Sequence, residues 1–308
     1  MLSFVSVVTA LALVPMVPGP PGDQLDGKLY AAAERLERVI EDYNEVRDDL
    51  RATRREQADL AVRMRPLEQA LAARQARIGM MAATEYRNSG AGPVLAVITA
   101  ESASALADRL LILDLLAAQQ REAITALTAA RARFDATRRT LDALAAQQTA
   151  QEQHLTGQRR QIEKDISDLE RLREQTGYRP ARGVRGFVPS FSAGRAGAAV
   201  RFAYAQLGKR YRFGAEGPDA YDCSGLTSAA WGRAGVALPH NARRQWHSVT
   251  RVSRSELRPG DLIFYYSSIH HVAMYVGGGK MIHAPQHGEP VRIDNVNYQP
   301  VHGYGRPS

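Results

Sequence analysis

The chain has 308 residues, ordinary apolar content, one cysteine, and a net charge of +8 carried almost wholly by arginine, with lysine only at 28, 164, 209 and 280. That balance favours anionic surroundings such as nucleic acid, phospholipid or an anionic cell wall. The lack of a P-loop, a zinc-finger spacing or a basic block with interleaved aromatics argues against nucleic acid, and a lone thiol excludes an internal disulfide.

Residues 2–17 are an apolar run without a charge, followed by Pro18-Gly19-Pro20-Pro21-Gly22. The run is short for a membrane span and about right for the core of a secretory signal. No Lys or Arg precedes it, and no small-x-small cleavage site follows. Segment 1–22 is therefore read as a signal whose basic start is missing from this version of the sequence, with an uncleaved anchor as the alternative. The expected location is the cell wall or extracellular space, with membrane association through this segment.

From Leu29 the apolar residues recur in heptads. Leu29, Leu36, Tyr43, Leu50, Met64 and Leu71 mark one position, and Ala32, Val39, Val46, Leu60 and Leu67 its companion. This is a coiled-coil seam, in which Pro66 predicts a kink. A Gly/Asn/Pro cluster around Asn88 to Pro93 ends it. A second seam runs through Leu106, Leu113, Leu127, Phe134, Leu141, Leu155, Ile162 and Leu169. The prediction is an antiparallel helical hairpin over 27–176, with arms on the order of 90 Å at 1.5 Å per residue and a tip around 87–105. Residues 94–116 are too apolar for a solvated connector, so a partner-docking surface around Leu110 and Leu113 is expected there, against the plainer reading of a passive or dimerising rod.

Aromatic residues are sparse up to about Gly177 and dense after it, which marks the change to a compact mixed domain. Residues 177–193, with Pro180, Gly183, Gly186 and Pro189, read as a linker. Ser192 is placed to cap a helix over 196–207. Turn signals then alternate with short strands at 262–266, 271–276 and 281–284. The fold class is α+β for the domain 194–308, preceded by the all-α hairpin.

Cys223 sits where a Gly/Pro/Asp loop meets a helix-favouring stretch from Leu226 to Trp231. Backbone N–H groups at a helix start favour a thiolate. A thiol nucleophile needs a base, and the base an orienting partner. If Gly277-Gly278-Gly279 form a three-residue hairpin loop, Val276 pairs with Lys280, Ala273 pairs with His283, and His271 and His283 share one face; a two-residue loop throws them apart. His271 is then the base and His283 its orienting member, with His270 aimed at the other face. Structural histidines, or a metal cluster of His270, His271, His283 and Asp261, are the competing readings, though the spacing matches no zinc pattern.

The stretches Tyr211-Arg212-Phe213-Gly214, Gly217 to Leu226, Leu238-Pro239, Gln245, Pro259 to Leu262, His271 to Gly277 and His283-Ala284-Pro285 together resemble the NlpC family of bacterial cell-wall cysteine peptidases. The resemblance covers about residues 195–305 and implies a compact papain-like fold. It further implies Cys223 as nucleophile, His271 as base, His283 as third member, Tyr211 near the oxyanion, and Asp222 and Ser224 holding the stem peptide. His240-Asn241 departs from the family, which often has Arg and a small hydroxyl residue there. The hairpin is similar to the regulatory coiled coils of exported members, some recruited by an ABC-transporter-like complex of the division machinery. The expected function is an exported peptidoglycan hydrolase cutting stem peptides between D-glutamate and the diamino acid, with no cofactor and no metal, restrained by its coiled coil. An acyltransferase of the same fold, or a non-catalytic wall-binding activator, are the alternatives.

Overall fold

The computed structural model describes residues 21–88, 102–180, 182–189 and 191–308. The expected signal segment and most of the expected tip, including the apolar stretch 94–98, lie outside the described residues. Among those described, no helix is long and apolar enough to cross a membrane. Two long helices come first, α1 (Pro21–Asn88) and α2 (Ala103–Thr176). The chain divides into two compact units, Met1–Glu45 with Gly157–Ser308, and Val46–Thr156.

In the second unit α1 and α2 pair antiparallel, with Leu50 and Met64 of the predicted α1 seam buried. On α2 the most buried apolar residues, Ala123 and Leu144, sit three positions beyond Gln120 and Leu141 rather than on the predicted seam itself. Arg54 bridges Glu152 at 2.8 Å, and Gln147 reaches Thr53 at 3.4 Å. The helix continues through Pro66. Both Pro66 and Val62, whose carbonyl loses its amide partner there, face solvent, so water can take the bond and the break is not needed.

In the first unit the carboxy-terminal half forms the α+β domain. Its elements are α3 (Gly194–Tyr204), β1 (Arg210–Tyr211), β2 (Ala220–Tyr221), α4 (Cys223–Arg233), α5 (Ala242–Ser248), β3 (Thr250–Val252), a 3₁₀ turn, β4 (Leu262–Tyr265), β5 (His271–Gly277), β6 (Lys280–His283), β7 (Arg292–Asn295) and β8 (Val301–Arg306). The six longer-range strands make an antiparallel sheet in the order β3-β8-β4-β5-β6-β7, and β1 pairs with β2 separately. One sheet face carries Phe264, Val272, Met274 and Ile282 into a core shared with Leu226, Ala230 and Trp231 of α4. The other face carries Ile263, Tyr265, Ala273 and Met281. This alternation is what a two-residue strand period produces when both faces are covered.

The first core also takes in Leu29, Leu36 and Ile40 of α1 and Ile162 and Leu169 of α2. Leu36 and Ile40 are each 1% exposed. Full burial of such side chains contributes roughly 1.5–3 kcal/mol each relative to exposure. The proximal ends of both long helices thus belong to the same compact body as the sheet.

Two local expectations are corrected. Helix α3 is capped at Ala193 without a side-chain bond and ends at Tyr204. Ser192 stands two residues before the first helical residue, one position too early to cap it. The β5–β6 connection pairs Gly277 with Lys280, leaving a two-residue loop of Gly278 and Gly279, both at positive φ. Val276 therefore does not pair with Lys280. A bulge between Tyr275 and Gly277 shifts the register by one residue, and Met274 pairs with Ile282 beyond it. The extra residue undoes the face swap that a two-residue loop alone would cause.

Candidate active site

Cys223 is the first residue of α4, and Asp222 is its N-cap, accepting from the Gly225 amide at 2.7 Å. Asp222 has further donors: the Gly214 amide at 2.8 Å, Asn44 Nδ2 at 3.0 Å, and His240 Nε2 at 2.7 Å. Burial alone would raise its pKa; His240 and these donors hold it below the usual carboxylate range. His240, whose Nδ1 is 3.3 Å from Glu216, is thus a buried partner of the cap. Gly225 is required beside it, because a Cβ there would meet the Ala215 carbonyl at 2.2 Å.

The sheet delivers the imidazoles. His271 opens β5 and His283 closes β6, and His271 Nε2 lies 2.8 Å from His283 Nδ1. His283 Nε2 in turn lies 3.1 Å from Asp294 on β7. Val272, next to His271, shares the buried core with Cys223, which sets the start of α4 against β5. The structure therefore brings together Cys223, the His271 strand and His283, with Asp294 as a fourth member that sequence reasoning missed. Tyr211 is buried and its hydroxyl has no hydrogen-bond partner, so it is an unspent donor. Ser224 Oγ bonds Glu41 at 2.7 Å. His270 is turned to Ser268 at 2.6 Å and stacks on Tyr266 with centroids 4.1 Å apart. Among the described residues there is no group of three or more His, Cys, Asp or Glu arranged to hold a metal.

Helix α1 closes this site. Glu41 Oε1 is 3.4 Å from the Cys223 sulfur, and its Oε2 accepts from the Ala242 amide at 2.6 Å. Asn241 Nδ2 donates to the Glu41 carbonyl at 2.8 Å. One helical turn earlier, Glu37 Oε2 is 3.4 Å from His271 Nδ1, the ring nitrogen that His283 leaves free. Just outside, Glu45 bridges Arg243 at 2.9 Å and Arg244 at 3.4 Å. Cys223 and His271 are each 1% exposed as a result.

Burial dominates the electrostatics. It raises Glu41 to about 7, reinforced by Asp222 and opposed by Ser224 and Ala242, and it pushes Glu37 well up. Burial also lowers His271 to about 3 and His283 to about 4, with Asp294 working against it in both. The expectation that the helix start favours a thiolate is overturned for this arrangement. Burial, Glu41, Glu37 and Asp222 push the thiol well above its usual value, and the Val272 amide only partly offsets them.

Comparison with known proteins gives the domain its family. Residues 208–304 match the NlpC/P60 family. The carboxy-terminal domain is an NlpC/P60 domain. A Listeria monocytogenes protein named "Probable endopeptidase p60" is 45% identical over 101 residues, 32% of this chain and 19% of that protein. A Mycobacterium tuberculosis protein, also named a probable endopeptidase, is 39% identical over 105 residues, 34% of this chain and 27% of that protein. The solved NlpC/p60 domain of the peptidoglycan hydrolase SagA is 33% identical, with 36% of this chain covering 97% of that domain at a TM-score of 0.34. The chain thus spans about a fifth to a quarter of the length of these curated relatives, and the NlpC/P60 match leaves α1 and α2 outside it.

Three further site residues lie in α1: Glu37, Glu41 and Asn44. A heptad count could not find them, since it reports only the stripe facing the partner helix. The one signal available was acidic and amide residues at i, i+4 and i+7 on one face, which on a coiled coil ordinarily means solvent.

Proposed function

We propose that the chain is an exported peptidoglycan hydrolase that cuts stem peptides at the bond between D-glutamate and the diamino acid, and that α1 holds it inactive. The observation that carries the reading is that successive turns of one face of α1 reach the Cys223 sulfur through Glu41 and the His271 ring through Glu37, which sets thiol and imidazole side by side, with His271 backed by His283 and Asp294. In this reading His271 Nδ1 takes the thiol proton as the sulfur attacks the D-glutamyl carbonyl carbon. The oxyanion is met by the free Tyr211 hydroxyl and backbone N–H groups. Collapse breaks the C–N bond, His271 passes its proton to the leaving amine, and an acyl-enzyme remains. Water, deprotonated by His271, then releases the D-glutamyl carboxylate and the thiol. His283 holds the His271 ring, and Asp294 stabilises the charged form of the histidine pair.

Restraint by α1 is supported by Glu41 on Cys223 and Ser224 and by Glu37 on His271, which leave a substrate carbonyl no room at the sulfur. The test is mass spectrometry of muropeptides incubated with the full chain, with Glu41→Ala, and with Cys223→Ala. New fragments ending in D-glutamate, strongest with Glu41→Ala and absent with Cys223→Ala, are expected. Fragments of unchanged yield from Glu41→Ala would sink the restraint and keep the hydrolase.

Release requires a partner that pulls on the hairpin, for which a division-machinery ABC-transporter-like membrane complex is proposed. Leu110, Leu111, Ile112, Leu115 and Leu116, 44–63% exposed, support docking near the start of α2. Leu113 faces the seam and is half-buried, so Leu111→Glu with Leu115→Glu tests docking more cleanly than a change at Leu113. Capture by the membrane complex undiminished in that variant would remove this surface.

A further inference from the structure

Beside the closed site lies a cavity of about 340 Å³, with His271 in one wall. Its size sits at the small end of ligand pockets, roughly 300–1,000 Å³, enough for an amino acid or a dipeptide. One side is made by α1, including Tyr30, Glu34 and Glu37, and the other by Arg173 at the end of α2, Tyr178, and Gln286 of the domain. These all lie within one compact unit.

The cavity lining keeps a few unspent polar atoms of both signs. Arg173 donates from Nη1 to the His287 carbonyl at 2.6 Å and lies over the Tyr178 ring at 5.1 Å, so its guanidinium is held in place. Its Nε and Nη2 are buried without a hydrogen-bond partner. Glu37 likewise keeps Oε1 buried and unpartnered, and Glu34 and Asp26 add acidic groups to the same lining. A fixed, partly unsatisfied guanidinium calls for a carboxylate. The acidic groups and tyrosine rings facing it call for an ammonium.

We propose that this cavity is a binding site for a short zwitterionic peptide, with its carboxylate on Arg173 and its ammonium against the acidic wall of Asp26, Glu34 and Glu37. This rests on the peptidase reading above, because the amine-side product of that reaction is such a molecule: it leaves beside His271 with a new free ammonium and, in a trimmed stem, a nearby carboxylate. Since α1 supplies half of the wall, the pocket exists only while α1 is docked. A ligand that binds the docked state alone shifts the population toward it. The product would therefore hold the enzyme closed, a feedback brake that shares Glu37 with the plug over the thiol and histidine.

The test uses the full chain with Cys223→Ala, which binds without turnover, titrated calorimetrically with L-lysyl-D-alanine. The control is N-acetyl-L-lysyl-D-alanine amide, which lacks the α-ammonium and the carboxylate. Saturable binding is expected for the free dipeptide, weakened at least tenfold by the capped one and by Arg173→Gln, and partly restored by Arg173→Lys. The dipeptide should also raise the melting temperature. If Arg173→Gln does not fold, Tyr30→Trp, which fills the cavity and leaves Arg173 in place, should also lose binding. No saturable binding at millimolar dipeptide, or equal binding of both peptides, overturns the pocket even if muropeptides are cleaved. Binding as expected by a chain whose wild-type form never cleaves muropeptides keeps the pocket and removes its product role.

Discussion

Helix α1 is one continuous element, yet its two ends do different things. Between Leu29 and Glu45 it buries apolar residues together with Glu37, Glu41 and Asn44, which are 7%, 1% and 0% exposed. Beyond Val46 the described part of the helix buries little besides Leu50, Thr53 and Met64. The heptad is the same along both. The proximal end therefore has a second buried face, polar and set against a thiol, while the distal end has only its seam. A coiled-coil pattern says which stripe meets the partner helix and nothing about a third surface on the opposite side.

The largest effect that sharpens this contrast is at the thiol itself. In an α1-released background, Cys223→Ala should lower muropeptide turnover by at least ~10³-fold, as removal of a nucleophile generally does. Release itself comes next. Ile40→Asp would bury a charge in the shared core when α1 is docked and expose it to water when α1 leaves. Turnover by the full chain should rise by roughly 10–100-fold, equivalent to about 1.4–2.7 kcal/mol of docking lost. Unchanged turnover in this folded variant would mean that the proximal face is only a structural seam.

A smaller effect follows from pH. Glu41 is raised to about 7 when docked, first by burial and then by Asp222, against an ordinary value of 4.5. The docked state therefore binds the proton more tightly, and this contribution to docking is full below about 4.5 and is lost as pH rises toward 7. Glu37 is shifted the same way. The groups facing Glu41 are the Cys223 thiol, Asp222, which His240 keeps ionised, His240 itself, Asn44 Nδ2, the Ser224 hydroxyl and the Ala242 amide. The ratio of wild-type turnover to that of Ile40→Asn, a released variant that adds no titrating group and in which catalytic titrations cancel, should climb about tenfold or less from pH 4.5 to 7. In Glu41→Gln that climb should flatten. A ratio independent of pH would show that Glu41 docks without changing its proton.

Much of the site was legible because its chemistry depends on residues with few other uses. The Gly/Pro/Asp loop before Cys223 and the helix-favouring stretch after it placed the thiol at a helix start, whereas the Asp222 cap and the fit of Gly225 against Ala215 show only in the fold. His271 and His283 were readable as a pair, although the register that joins them is achieved by a bulge rather than by a three-residue loop. Asp294 was missed because its strand is short and its role is visible only once β7 lies beside β6. Glu37 and Glu41 were missed for a deeper reason. Their contacts span 182 residues or more, and local periodicity carries no information at that separation.

The smallest predicted effect is at the distal end. Met64 is 9% exposed and belongs to the seam, so Met64→Ala should destabilise the distal hairpin by about 2 kcal/mol or somewhat more, the low end for truncating a buried methionine. Calorimetry or helix-monitored melting would read that loss. Turnover should stay within about twofold of wild type, because Met64 touches neither the thiol nor the carboxylates that cover it. The same substitution becomes informative if turnover climbs instead. Loosening a seam residue remote in sequence from Glu41 would then loosen the plug. The proximal face would be held shut by the continuity of the long helix as well as by its own contacts, so a partner gripping the start of α2 would need only to strain the seam to open the site.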